Sequence, residues 1–462
     1  MESLVVLCRN KAMRNSTTRM KLEYSSKLGW PLIILISAVP LIIWALFPYS
    51  LDQRFLRSGH FNYGMTTTAI GQVLGLVGMA MFALNFVLSA RLKWLEGLFG
   101  GMNKIYIAHH ILGGLAFVLL LLHPLLIVAK YLPNAAMQAL TLLLFGTSWD
   151  VRFGVIALGL MILFLVLTFF IKLPYHIWKF THQFLGLAFF FASLHVLLIP
   201  SDVTQVNMLK YYMFFLIVLG FAAILYRTVL GFYFVPRLEY MIQEIRAVNS
   251  SILEIVMKPK DEERCIRYIP GQFIFIGFPD SKGLEEVHPF SLSSQPEGVC
   301  ISIGVKALGD YTGRMKELKV GDRAVIEGPF GRTSYKYYQT KEQIWVAGGI
   351  GITPFLGMAR SLKQGDEYKV DLYYSAKDRS EAAFLPELEE IARLNPNFRV
   401  IPWMANEKSF LSAEAIVKES EGVLGKEIFI CGPPGMMKAL KEQFTQWKVP
   451  VSKVHSEEFS MN

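Results

Sequence analysis

The 462-residue sequence predicts a multidomain chain: an all-α membrane part of six helices, then a small antiparallel β-barrel, then an α/β domain on a parallel sheet. Three observations predict this. Hydrophobic residues make up 53% of the chain and charged residues only 18%, with the apolar excess lying between about residues 29 and 234. That is too apolar for a soluble globular domain and too long for one compact one. From about residue 238 the pattern shortens to alternating runs broken by Gly and Pro, as antiparallel strands require. After residue 340 strand-like and helix-like runs alternate, which argues a parallel sheet. The expected boundaries are a lead-in at 1–28, the membrane part at 29–234, the barrel at 238–338 and the α/β domain at 340–462.

Crossing hydrocarbon takes roughly 20 apolar residues per helix. Six segments qualify, at about 29–48, 66–90, 104–129, 152–171, 177–199 and 208–233. Basic residues collect in the lead-in (Arg9 to Lys27), after the second segment (Arg91, Lys93, Lys104), in the fourth loop (Lys172, Lys179) and at Arg227 and Arg237. Six spans put all four sets on one side, with Arg54 and Arg57 in the first outer loop dissenting. Lys and Arg mark the cytoplasmic side, so both termini are expected in the cytoplasm of an integral membrane protein. The lead-in has no small-residue cleavage site and reads as a cytoplasmic segment rather than a signal peptide. The net charge of +9 follows from these loops, and no nucleic-acid partner is expected. The four cysteines (Cys8, Cys265, Cys300, Cys431) have neither metal-type spacing nor a secreted framework, so no disulfide is expected.

Two apolar stretches carry histidine near each end: "HHILGGLAFVLLLLHP" at 109–124 and "HQFLGLAFFFASLHVL" at 182–197. The third and fifth helices run parallel, so His109 and His182 share one depth near the inner face. His123 and His195 share another toward the outer face. A lone intramembrane histidine is ordinarily a hydrogen-bonded core residue. Four at paired depths in a repeated H-x-x-L-G…H frame point instead to metal ligation. Fourteen residues correspond to roughly 21 Å of helix rise, room for two b-type haems, each held between two neutral imidazoles and suited to electron transfer. His110 competes with His109, which is preferred because it stands where His182 does before "LG". Fourteen residues return His123 to within about 40° of His109, but thirteen leave His195 about 140° from His182. A π-bulge or a tilted helix would absorb the difference. Gly113, Gly114 and Gly186 follow the inner histidines by about one turn. They admit a macrocycle or a neighbouring backbone, or serve as ordinary small-residue packing.

In the soluble part, "HPFSLSS" (288–294) and "VKALGDYTGRM" (305–315) lie on barrel strands and loops. "AGGIGITPF" (347–355) reads as strand, glycine turn and helix N-terminus, whose amides and dipole suit a pyrophosphate. "CGPPGMM" (431–437) follows a later strand. Together these resemble the ferredoxin–NADP reductase superfamily, in the variant found in NADPH oxidases and transmembrane ferric reductases, with His288 and Phe290 where relatives usually have Arg and Tyr. The resemblance implies FAD in the barrel, with Phe290 packed on the isoalloxazine and His288, Pro289, Ser291, Lys306 and Thr312 around the flavin and its pyrophosphate. It implies nicotinamide phosphates on Gly348, Gly349 and Thr353, with Cys431 and Gly432 beside the nicotinamide. Phe459 in "HSEEF" would stack on the flavin until nicotinamide displaces it, although Ser460, Met461 and Asn462 follow it here. Lys377 and Arg379 follow the strand "VDLYYS" and favour NADPH, with NADH still open.

Over residues 29–462 the order of motifs is similar to the prokaryotic branch of the NADPH oxidase and ferric reductase family. That resemblance implies electron flow from cytoplasmic NADPH through FAD and two haems to an acceptor outside. Dioxygen is placed slightly ahead of ferric chelates because the outer loops are short and lack a carboxylate cluster. The alternatives are a ferric-chelate reductase, a haem protein of the membrane feeding a separate extracytoplasmic redox protein, and a proton-relaying transporter. Lipid surrounds the helices, and no obligatory protein partner is expected.

Overall fold

The computed structural model describes residues 28–46, 63–132, 134–228, 230–231, 235 and 237–456. The chain divides into two compact units at residues 234/235.

The first unit is helical. Helix α1 is Gly29–Leu46, α2 Tyr63–Ser89, α3 Met102–Ala129, α4 Trp149–Phe169, α5 Tyr175–Gln183, α6 Leu185–Leu198 and α7 Asn207–Thr228. Helices α5 and α6 form one span, Ile177–Leu198, so six helices among the described residues are long and apolar enough to cross a membrane. Leu, Ile, Phe and Ala dominate them, and many large side chains such as Leu115 and Phe170 face outward, as contact with lipid tails permits. Inside, small residues let helices close up. Ala80, Ala83, Ala116 and Ala188 are buried, and a Cβ on Gly220 would lie 2.7 Å from Phe189 Cζ. Phe189 is fully buried, with Phe82, Phe86 and Phe221 at ring-centre distances of 5.3, 5.0 and 5.0 Å.

The second unit holds two sheets. Strands β1 (Leu238–Ala247), β2 (Ile252–Pro259), β3 (Phe273–Gly277), β4 (His288–Ser291), β5 (Ile301–Lys306) and β6 (Arg323–Phe330) form an antiparallel sheet in the order β4-β3-β6-β1-β2-β5. A bridge between Leu292 and Ile303 draws the two edges together and curls the sheet toward a barrel. Alternate residues such as Ile255, Ile274, Ile276, Ile303 and Ile326 fill its core. Strands β7 (Glu342–Gly348), β8 (Lys369–Ala376), β9 (Phe398–Met404), β10 (Glu427–Cys431) and β11 (Val454–Ser456) form a parallel sheet in the order β11-β10-β7-β8-β9. Its residues alternate between two cores, Trp345 and Ala347 toward one and Ile344 and Val346 toward the other. Both faces are therefore covered, as parallel sheets require, by helices including α8 (Leu385–Leu394), α9 (Ala413–Glu419) and α10 (Pro434–Gln446).

An ionic clasp, buried at Glu254 and half-open at Glu387, ties barrel to α/β domain. Arg360 donates to both carboxylate oxygens of Glu387 on α8, at 2.6 and 2.8 Å, and at 2.7 Å to Glu254 on β2. It also donates at 3.0 Å to the Ser293 carbonyl just past β4. Beside it, a Cβ on Gly304 of β5 would lie 2.6 Å from Thr353 Cγ2, so the seam is tight.

Candidate functional site

The helices bring the four histidines together in the pairs the repeated frame predicts. The ring centres of His109 and His182 are 6.2 Å apart at 65°, and those of His123 and His195 are 6.2 Å apart at 67°. Two imidazoles holding one metal ion through nitrogen have ring centres about 6 Å apart, since each metal–nitrogen bond is about 2 Å and each nitrogen lies about 1 Å from its ring centre. The pairs thus fit bis-imidazole ligation. His110 points away, its ring meeting Phe169 edge-on at 5.6 Å. Trp178 stacks on His182 at 5.3 Å. A mostly apolar cavity of about 370 Å³ opens beside His123 and His195, lined by residues including Leu76, Met79, Leu120 and Ala157.

Hydrogen bonds fix the tautomers. Nδ1 of His123 meets the Gly71 carbonyl at 2.7 Å, that of His195 the Asp150 carbonyl at 2.7 Å, and that of His109 the Asn85 carbonyl at 3.1 Å. Carbonyls only accept, so each Nδ1 carries the proton. Nδ1 of His182 lies 3.2 Å from Thr168 Oγ1, whose own proton goes to the Phe164 carbonyl at 2.7 Å. All four rings therefore leave Nε2 as the lone-pair nitrogen, the arrangement that second-shell acceptors impose on metal-binding imidazoles.

The thirteen-residue spacing is not accommodated by a π-bulge. None occurs among the described residues of this span; the helix breaks at Phe184 instead. The amides of Phe184 and Leu187 reach back only three residues, to Thr181 and Phe184, at 3.1 and 2.9 Å. Such a turn runs at about 120° and 2.0 Å per residue rather than 100° and 1.5 Å. Overwinding recovers part of the missing rotation and lengthens the step toward that of fourteen ordinary residues. The glycines also sort differently. A Cβ on Gly113 would meet Asn85 Nδ2 at 2.7 Å, one on Gly186 would find only Ile224 at 3.8 Å, and one on Gly114 nothing within 4 Å. The glycines that crowd the histidines are Gly75 and Gly154, whose added Cβ atoms would lie 2.6 and 2.9 Å from Nδ1 of His123 and His195. Their signal is the i, i+4 spacing from the accepting carbonyls of Gly71 and Asp150.

In the soluble unit the sheet order reverses between β7 and β10, the crevice where open α/β sheets bind ligands. "AGGIGITPF" leaves β7 there and "CGPPGMM" leaves β10. The two turns touch through glycine: a Cβ on Gly432 would lie 3.0 Å from Gly348 Cα, and one on Gly348 2.8 Å from Pro433 Cδ. Gly349 has φ +53°, a conformation that favours glycine. Cys431 is buried at the end of β10 and outside any disulfide. Thr353 donates to the Ile350 carbonyl at 3.1 Å and packs its methyl on Gly304, at the seam with the barrel. Lys377 and Arg379 lie just past β8. Phe459 lies outside the described residues; β11 runs parallel to β10 and pairs Ser456 with Ile430, one residue before Cys431.

On the barrel, His288 and Pro289 are half-buried and Ser291 is buried on the edge strand β4. The His288 ring lies 3.8 Å from that of Tyr311, with Nε2 3.5 Å from the Glu286 carboxylate. Burial pushes the Tyr311 phenol up, and it donates to the Glu286 carbonyl at 2.9 Å. Phe290 is 8% exposed and packs in the barrel core, so its ring is not a surface platform. Lys306 pairs with Glu381 at 3.4 Å across the seam. Thr312 Oγ1 accepts from the amides of Leu308 and Gly309 at 3.0 and 3.1 Å, capping the short helix Asp310–Arg314.

Comparison with known proteins matches residues 74–193 to the ferric reductase like transmembrane component, 237–334 to an FAD-binding domain and 345–442 to the oxidoreductase NAD-binding domain. NADPH oxidase 3 of Rattus norvegicus is 32% identical over 135 residues, 27% of this chain and 23% of that protein. The heavy chain of a superoxide-generating NADPH oxidase of Dictyostelium discoideum is 29% identical over 167 residues, 30% of this chain and 31% of that protein. The chain belongs to the NADPH oxidase and ferric reductase family. Flavohemoprotein A of Dictyostelium discoideum is also similar, 26% identical over 238 residues, 48% of this chain. The chain spans only 60% of that protein's length. The family modules follow one another in the order of the structural parts: the membrane component over α2–α6, the FAD-binding domain over β1–β6 and the NAD-binding domain from β7 to α10.

Proposed function

We propose that this membrane protein carries electrons from NADPH, through FAD in the barrel and two b-type haems between the helices, to a one-electron acceptor across the membrane. The observation that carries the reading is the twin 6.2 Å separation of histidine pairs in a chain that also holds FAD- and NAD-binding domains. When bound, these groups supply a two-electron donor, its conversion to single electrons and one-electron carriage.

The chain's residues bind and orient them. His109 and His182 hold one iron, and His123 and His195 the other, all through Nε2. The apolar packing of Ala116 and Phe189 keeps water from the path between the pairs. The glycine crevice at Gly348, Gly349 and Gly432 admits a dinucleotide backbone, with Thr353 lining its floor and Cys431 at the nicotinamide end. Lys377 and Arg379 offer the cations that a 2′-phosphate needs at the end of the second strand. His288, Pro289, Ser291 and the loop capped by Thr312 seat the flavin. Lys306 secures the seam. Arg91, Lys93, Lys172, Lys179 and Arg227 mark the side of the membrane that faces the cytoplasm, so both termini and the soluble unit lie there.

Dioxygen, yielding superoxide, is the acceptor favoured by the two NADPH oxidase relatives. Ferric chelates are the second reading, favoured by the ferric reductase match over residues 74–193. The test is anaerobic reduction of the purified chain by NADPH, followed spectrally, then addition of dioxygen or ferric citrate. Superoxide formation favours the first and ferrous product the second. A preparation expressed with ample porphyrin that lacks a Soret band overturns the proposal.

A further inference from the structure

The two histidine pairs do not have the same surroundings. Both Nδ1 donors of the His123/His195 pair reach helix carbonyls at 2.7 Å. In an α-helix each carbonyl already accepts from the amide four residues on. A ring can share that carbonyl at short range only if the residue four on has no Cβ in the way. Those residues are Gly75, four after Gly71, and Gly154, four after Asp150. The residue four after Asn85 is Ser89, which has a Cβ, and there the His109 bond is longer, 3.1 Å. His182 finds no carbonyl and bonds to the Thr168 hydroxyl at 3.2 Å.

We infer that Gly75 and Gly154 are positioning residues that press His123 and His195 onto helix carbonyls, and that this sets the iron of that pair at the lower of the two reduction potentials. The inference rests on the proposed bis-histidine haems. A short Nδ1–H···O=C bond makes the imidazole more basic. A more basic ligand favours ferric over ferrous iron, so the pair with two short carbonyl bonds titrates at lower potential than the pair with one long bond and one hydroxyl.

The experiment is a spectroelectrochemical titration of the purified full-length chain, with haem content measured beside it. Two haems in the unaltered chain secure the underlying reading; none defeats that reading whatever the variants do. Gly154→Ala places a methyl 2.9 Å from Nδ1 of His195. The expected result is that the lower potential rises while the higher one stays, or that one haem is lost. Gly75→Ala should act on the same haem. Gly159→Ala is the control for altered helix propensity, since it is exposed on the same helix as Gly154 with nothing within 4 Å of its Cβ; it should leave both potentials and both haems unchanged. Two haems with unchanged potentials in Gly75→Ala and Gly154→Ala overturn the inference. A shift confined to the higher potential overturns the ordering.

Discussion

At the scale of residues, the chemistry rests on where a few protons and methyl groups sit. His109 and His110 are neighbours, yet one ring meets His182 and the other Phe169. The frame before "LG" favours the histidine whose ring meets His182. What the frame could not reveal was the carbonyl each Nδ1 meets, because that partner lies 24 to 52 residues away in sequence. His123→Ala or His195→Ala should leave one haem where the native chain has two, while NADPH still bleaches the flavin; pyridine haemochrome and flavin absorbance read the two separately. Gly432→Ala should raise KM for NADPH about tenfold, on the order of 1.4 kcal/mol, because its Cβ would press on the Gly348 backbone at 3.0 Å. Haem content should not change. Thr312 shows a limit of motif reading. The sequence offers a hydroxyl to phosphate, but here it accepts from two loop amides and turns its proton to the Gly309 carbonyl at 3.3 Å.

At the scale of elements, apolar runs and alternation located the six spans and both sheets, since burial in lipid or core dictates those periods. The break between α5 and α6 was not legible: "THQFLGL" carries no Pro. The short strand β11 depends on polar anchoring that hydropathy does not register. Glu427 on β10 accepts from His455 Nε2 at 2.6 Å and Lys453 Nζ at 2.9 Å. Burial works to raise the Glu427 pKa, but these hydrogen bonds outweigh it and hold the carboxyl below its ordinary value. A depressed folded-state pKa contributes stability above the ordinary glutamate range that is lost as pH falls through the folded value. The melting temperature of the soluble unit, followed in the full chain by flavin release, should fall in acid. Glu427→Gln should start lower near neutrality and flatten that acid limb. An unchanged acid limb in the variant would assign it to another group.

At the scale of the whole molecule, motif order made the sequence of modules legible, but not the bond that joins two of them. Arg360 looks like an ordinary helix-end cation in "GMARSL", and only the fold reveals Glu254 and Glu387 converging on it. Glu254 is 4% exposed. Arg360→Ala leaves that carboxylate to Arg246 at 3.6 Å and the Ser293 hydroxyl at 3.4 Å, and should cost somewhat less than the ~3 to 5 kcal/mol of a fully uncompensated buried charge, read as a lower flavin-release temperature. Arg360→Lys keeps the charge but not the fork, and should fall between the two. Because the Arg360–Glu254 half of the clasp is withdrawn from water, salt that screens exposed pairs acts mainly on the Glu387 half, which is partly open. Barrel and nucleotide lobe are then riveted by one dry bond and one wet one, so saline should loosen the Glu387 contact before the Glu254 contact.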